Sequence, residues 1–129
     1  MTTPISSFVA TAGSAQEFED LETFIVVLAE TPDQDGARLE IQRRLAPDAQ
    51  DEALGQDTYC LCTQTGANCY GGVLSWRIED GWLRIVLDES AASDLGVDCD
   101  VAIELRLTPR AVDEVAAGIE RALGFPGSA

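Results

Sequence analysis

Leu74-Ser75-Trp76-Arg77-Ile78-Glu79-Asp80-Gly81-Trp82-Leu83-Arg84-Ile85-Val86-Leu87 is the stretch from which the fold is read. Asp80-Gly81 suits a two-residue type I′ turn, in which both central residues need positive φ. With Glu79 opposite Trp82, Ile78 faces Leu83, Trp76 faces Ile85 and Leu74 faces Leu87. All six of these apolar side chains then lie on one side of a sheet, so the turn chemistry and the alternation demand the same register. On the other side Arg77 meets Arg84, a like-charge pair that is unfavourable unless carboxylates intervene. The hairpin thus predicts antiparallel sheet with one apolar face to be covered.

Working outward, the cover follows. Asp88 can cap a short helix carrying Ala91, Ala92 and Leu95, which Gly96 would end. Val101, Ile103, Leu105 and Leu107 alternate with polar or small residues, as in a half-buried strand. Thr108-Pro109 is a cap followed by proline at the first helical position. Val112, Val115, Ala116, Ile119 and Leu123 then recur at helical spacing until Gly124. Asp113 and Glu114 stand early in this helix and Arg121 late, the order that the helix dipole prefers.

Upstream, Phe24-Ile25-Val26-Val27-Leu28-Ala29 is a continuous apolar run, read as a central strand buried on both faces. Asp33 to Gly36 is turn chemistry, and Ala37, Leu39 and Ile41 alternate as a half-buried strand. Ala46 to Leu54 is a polar loop or one loose helical turn. Asp57 to Thr63 is a strand, and Gly66 turns the chain into a further strand pattern from Asn68 to Ile78. Gly71-Gly72, inside that pattern, marks a bulge or a close backbone approach. Phe8-Val9-Ala10 reads as a short strand, and Gln16 to Glu22 as an acidic loop. The expected architecture is α+β: a meander of about six or seven mostly antiparallel strands, with a short helix and a C-terminal amphipathic helix packed on one face. At 129 residues the chain is expected to be one domain, residues 1–129.

Composition restricts function. Twenty-three carboxylates face eight arginines, with no lysine and no histidine, for a net charge of −15 at pH 7. Nucleic acid, which binds through neutralising cations, is therefore not an expected partner, and neither is an anionic membrane leaflet. A basic protein surface is attracted and steered, although general solubility accounts for such a charge equally well. The first 13 residues contain no basic residue and no continuous apolar core, so they do not read as a signal peptide. No run approaches the ~20 apolar residues of a membrane span, and the expected compartment is the cytoplasm.

Four cysteines stand at Cys60, Cys62, Cys69 and Cys99. An even count allows disulfides in an oxidising compartment. Zinc would need all four, and the usual paired C-x2-C spacing is missing. Reduced, mostly buried thiols are the expectation for a cytoplasmic chain. Cys60 and Cys62 alternate along one strand and share a face, where they could not easily bond each other.

Catalytic machinery is scarce. Without histidine there is no Ser-His-Asp or Cys-His pair, and without lysine no Schiff base or P-loop. The Asp33-Gln34-Asp35-Gly36 turn lacks the twelve-residue loop and closing glutamate of an EF-hand. No catalytic residue, metal site or cofactor is expected. A carboxylate-pair hydrolase would need a deep pocket with convergent carboxylates of shifted pKa.

One block carries a family likeness. Gln50-Asp51-Glu52, then Gly55-Gln56-Asp57-Thr58-Tyr59-Cys60-Leu61 and Tyr70-Gly71-Gly72-Val73 resemble immunity protein family ten of bacterial polymorphic toxin systems. Glu22-Thr23-Phe24 opening an apolar strand, the segment from Leu87 to Gly96 and the closing helix fit the same layout. The resemblance implies a non-catalytic cytoplasmic protein that binds and silences a cognate toxin. A basic toxin would suit the charge. Asp48, Asp51, Glu52 and Asp57 are then the candidate contacts, with Tyr59, Tyr70 and Trp82 as candidate aromatic anchors. Core packing competes for the tyrosines and a local hydrogen bond for Asp57. The competing reading is an interaction or regulatory domain whose partner is not a toxin. Strand edges could pair two copies into a homodimer, and nothing in the sequence decides this.

Overall fold

The structure is a computed structural model that describes residues 7–33, 36–46, 49, 53 and 58–127. Its elements are β1 (Ser7–Ala10), β2 (Ala12–Phe18), β3 (Thr23–Ala29), β4 (Arg38–Arg44), β5 (Cys60–Thr63), β6 (Asn68–Tyr70), β7 (Val73–Glu79), β8 (Trp82–Leu87), α1 (Glu89–Leu95), β9 (Asp100–Leu105) and α2 (Pro109–Leu123). A single 3-10 turn, Glu19–Leu21, joins β2 to β3.

The class is α+β, as the sequence predicts. The described strands number nine and divide into two sheets, β2-β3-β4-β5-β6 and β1-β9-β8-β7. The first is an antiparallel meander, and the second is antiparallel except where β1 lies parallel to β9. The division falls at Gly71-Gly72, both at positive φ (73° and 96°). The chain therefore does not run as one strand from Asn68 to Ile78. It leaves one sheet and enters the other. A Cβ on Gly72 would collide with the Ala91 side chain of α1. The glycine pair thus supplies the close approach that its composition suggested, with a sheet change in place of a bulge.

The hairpin has the expected turn, with Asp80 at φ 53° and Gly81 at φ 81°. Glu79 pairs with Trp82, Ile78 with Leu83 and Trp76 with Ile85. The register then shifts between Val73 and Ser75, so that Val73, not Leu74, sits opposite Leu87. Leu74 is turned outward and is 63% exposed. Arg77 does face Arg84, and each has relief nearby: Glu79 lies 3.6 Å from Arg77, and the Arg84 guanidinium stands 5.8 Å from the Trp82 ring centre. Both helices are capped as read. The Asp88 carboxylate accepts from the Ala91 N–H at 2.7 Å, and the Thr108 hydroxyl accepts from the Ala111 N–H at 3.2 Å. Gly96 and Gly124 close the two helices in the left-handed region.

One cluster of buried residues draws on both sheets and both helices. Phe24, Val26, Leu28, Leu39, Ile41 and Leu61 form the inner face of the five-stranded sheet. Helix α2 packs on its β2-β3-β4 side and α1 on its β5-β6 side. Leu39 and Leu61 share a cavity of about 170 Å³ with Phe8, Ile85, Leu87 and Val101 of the other sheet, so the inner faces meet there. Among the described residues, no helix or second sheet packs on the outer face of the five-stranded sheet. Ile25 and Val27 lie on it and are only half-buried, which corrects the expectation that the apolar run of β3 is buried on both sides. β3 lies inside its sheet between β2 and β4, but among the described residues packed layers lie on one side only.

Gln16 to Glu22 is also different from the reading. Its first part belongs to β2, which pairs residue by residue with β3 from Ala12–Ala29 to Phe18–Thr23. The strand carries small residues because α2 crosses it closely. A Cβ on Gly13 would lie 3.2 Å from Val115 Cγ2 of α2, and one on Gly118 of α2 would lie 2.5 Å from the Ala15 Cβ. Ala46 to Leu54, and the middle of the Asp33–Gly36 turn, lie largely outside the described residues.

Candidate functional site

The five-stranded sheet ends, on one side, in the last residue of β2, the first of β3, the last of β4, the first of β5 and the last of β6. Antiparallel pairing puts them in a row: Phe18 with Thr23, Thr23 with Arg44, Gln42 with Cys60, and Cys60 with Tyr70. This end gathers exposed apolar side chains. Phe18 is 37% exposed, Leu21 61%, Leu45 39% and Tyr70 47%, and the other large exposed hydrophobic residue described is Leu74.

Acidic residues surround them. Glu17, Glu19, Asp20 and Glu22 are all exposed along the β2–β3 connection. Leu45 is tied to that connection, because its N–H donates to the Glu22 carbonyl at 2.9 Å. Glu22 takes φ 51° to close the 3-10 turn, which directs the chain into β3 and leaves Leu21 outside. The nearby cations are engaged. Arg121 bonds Glu17 at 2.5 Å and stacks 4.2 Å over the Phe24 ring, Arg43 donates to the Ala122 carbonyl at 2.9 Å, and Arg44 lies 3.7 Å from Glu22. The last pair is exposed and contributes little to stability. Its charges cancel, and the four carboxylates Glu17, Glu19, Asp20 and Glu22 against Arg43, Arg44 and Arg121 leave one excess negative charge among these described residues.

The sequence-predicted contacts separate on this frame. Asp48, Asp51, Glu52 and Asp57 lie outside the described residues. Tyr70 is exposed at the same end of the sheet, on the edge strand β6 opposite β2. Tyr59 is not exposed. It is buried, its hydroxyl accepts from the Val73 N–H at 2.9 Å, and burial pushes its phenol above the usual range. Trp82 belongs to the β7–β8 hairpin of the other sheet. Phe18, Leu21 and Leu45 were not singled out from sequence. The available signal was two large apolar residues inside an acidic stretch, Gln16 to Glu22.

Tyr59 is thus a structural residue that bridges the two sheets at the Gly71-Gly72 crossing. Tyr59→Phe removes the acceptor and leaves a buried N–H unpaired. The expected cost is about 1–2 kcal/mol of unfolding free energy, read from urea denaturation.

The thiols are unlinked. Only Cys69 is buried, whereas Cys60 and Cys62 are half-buried and Cys99 is exposed, so the expectation of mostly buried thiols is met at one position. Burial pushes the Cys69 thiol up to about 11. Cys60 and Cys62 share the outer face with their Sγ atoms 3.7 Å apart, well beyond a disulfide bond of about 2.05 Å. The hydrogen bond between them lowers the pKa of Cys62 and raises that of Cys60.

Two cavities were located. The first, between the sheets, is mainly apolar, with Thr63, Gln64 and Thr65 among its lining residues. The second, of about 140 Å³, lies at the end of the five-stranded sheet and is lined by Thr23, Gln42, Arg43, Arg44, Thr58, Cys60 and Tyr70. Neither has a carboxylate in its lining. No helix among the described residues is long and apolar enough to cross a membrane.

An antiparallel sheet with helices on one face and exposed apolar side chains at one end defines an α+β fold with a candidate interaction surface. The family model for immunity protein 10 matches residues 9–113, and the chain belongs to that family. The match runs from β1 into the first turns of α2, so it covers both sheets. No curated protein matches the chain. No solved structure matches it either.

Proposed function

We propose that this protein is a cytoplasmic immunity protein that binds and neutralises a cognate toxin domain with a basic surface, without catalysis. The observation that carries the reading is family membership over residues 9–113 in a chain of net charge −15. Immunity proteins act by occupying a toxin, and a strongly anionic surface both speeds encounter with a cationic partner and excludes wrong ones.

The end of the five-stranded sheet is the proposed contact surface. Phe18, Leu21 and Leu45 supply apolar contact on the β2–β4 side of it and Tyr70 at the far edge strand β6, where they are proposed as anchors. Glu19, Asp20 and Glu22, together with the sequence-read Asp48, Asp51, Glu52 and Asp57, supply the steering rim. Trp82 is a second-rank contact, because it sits on the other sheet.

The test is co-expression with the toxin encoded beside this gene. Cells that make both are expected to grow, and affinity is expected to weaken as salt shortens the screening length from ~10 Å at 0.1 M to ~3 Å at 1 M. Continued killing at confirmed expression of folded protein would remove the reading.

A further inference from the structure

We propose that the cavity between the two sheets is a binding site for a small, neutral, single-ring molecule that carries one hydrogen-bonding group. The site stands apart from the proposed toxin surface and does not rest on that reading. Thr63, the last residue of β5, lines it, whereas Cys60, the first residue of β5, lines the other cavity at the toxin-facing end of the sheet.

Size and wall chemistry come first. The cavity measures about 170 Å³, and Leu39, Leu61, Ile85, Leu87, Leu95 and Val101 supply its apolar wall. All six belong to the buried core, so the cavity reaches into the packed interior and is not a surface crease. Protein interiors contain few cavities larger than a water molecule. An apolar cavity of about 150 Å³ lined by Leu, Ile and Phe stays dry and takes up benzene. The cavity here is slightly larger and has the same kind of wall. Water suits it poorly, because a buried water needs about 2–4 polar partners. A ring instead gains dispersion contact with every wall residue.

Charge and hydrogen bonding narrow the ligand further. The chain has a net charge of −15, yet no charged residue lines this cavity. A carboxylate would enter without a counter-ion in the field of an anionic protein, and an ammonium group would be buried without a partner. Both carry a large desolvation cost, so the ligand is neutral. Its polar group is met by two threonines. Thr63 shares a face of β5 with Leu61 and is 9% exposed. Its hydroxyl lies 2.9 Å from that of Thr65, which also accepts from the Ala67 N–H at 3.3 Å. Two hydroxyls bonded to each other use only one of their two protons. The second proton has no acceptor among the described residues, and it is the donor for an oxygen on the ring. Gln64, at the rim, is held in place by the Arg38 N–H, which donates to its Oε1 at 3.1 Å.

The test titrates the full chain, labelled at its Leu, Ile and Val methyls, with benzene, phenol and benzoate in turn, followed by NMR. Benzene and phenol are expected to shift the methyls of the six wall residues through their ring currents, and benzoate is expected to leave them unmoved. Phenol should bind about fivefold more tightly than benzene, the effect of one neutral hydrogen bond. Thr63→Val should remove that preference and leave benzene binding within about twofold. Val101→Phe, which fills the cavity, should weaken both by about tenfold or more. The wild-type titration stands by itself should either variant fail to fold. The proposal is overturned if millimolar benzene and phenol leave the wall methyls unmoved, if benzoate binds as tightly as phenol, or if Thr63→Val loses benzene and phenol equally. Nuclear Overhauser contacts from the wall methyls to residues 1–6, with no probe bound, would give the cavity to that segment and overturn it as well.

Discussion

Gly118→Val is expected to lower the unfolding free energy by about 3 kcal/mol, the upper part of the range for overpacking. Gly118 lies in α2 where the helix crosses β2 and β3. Even a single Cβ there would sit 2.5 Å from the Ala15 Cβ, 3.1 Å from Val26 Cγ2 and 3.5 Å from Phe24 Cζ. Ala15 has no flexible end to move aside, so the helix must lift from the sheet. Helix propensity works the other way, because glycine in a helix interior is about 1 kcal/mol less favourable than alanine. The steric effect is larger, because lifting α2 also loosens Val115, Ile119 and Ala122, which are fully buried. Gly118→Ala should therefore destabilise as well, though less. The double variant Gly118→Ala with Ala15→Gly should recover much of that loss, giving a clear coupling in a double-mutant cycle. If Gly118→Val left the urea midpoint unmoved, α2 would not pack on β2 as described.

Charge reversal at the sheet end is the second large effect. Glu19→Lys with Asp20→Lys is expected to weaken toxin binding by about a hundredfold, or about 2.7 kcal/mol. Both residues are exposed in the 3-10 turn, so stability should change by no more than about 0.5 kcal/mol. Most of the change in affinity should appear as slower association at low salt, because rim charges act on encounter. Leu21→Ala should act differently, by speeding dissociation, as loss of an apolar anchor does. The control is Asp113→Lys with Glu114→Lys on the exposed side of α2, which reverses the same number of charges elsewhere. Equal losses from both double variants would mean that net charge, and not this surface, governs recognition. Biosensor kinetics at two salt concentrations separate these outcomes.

Local chemistry was legible wherever a few neighbouring residues determine the outcome. Asp80-Gly81 gave the turn and most of the register, Asp88 and Thr108 gave the helix starts, and Gly96 and Gly124 the helix ends. The helical spacing of Val115, Ile119 and Leu123 gave the face of α2 that is buried. The bulge at Val73–Ser75 was not legible, because Leu74 fits the alternation as well as Val73 does. β2 was not legible either. Gly13, Ser14 and Ala15 have weak strand preference, and Gly13 and Ala15, on the inner face, are small because α2 needs room above them. The apolar run of β3 read as doubly buried because composition alone does not show how many layers a sheet receives.

The candidate surface follows the same division. The anionic character was plain in the composition, and Tyr70 was identified from its sequence neighbourhood. Phe18, Leu21 and Leu45 become a surface only when antiparallel pairing brings the ends of β2 and β4 to one edge of the sheet, a separation in sequence that no local pattern spans.

The sequence by itself determined an acidic α+β chain without histidine or lysine, its main hairpin, its helix boundaries and its family. The tertiary structure decided the division into two sheets at Gly71-Gly72, the burial of Tyr59 and the gathering of exposed apolar residues under an acidic rim. The physical reason is range. Turns, caps and periodicity are fixed by interactions within a few residues, whereas sheet order and surface composition are fixed by which distant segments exclude water together.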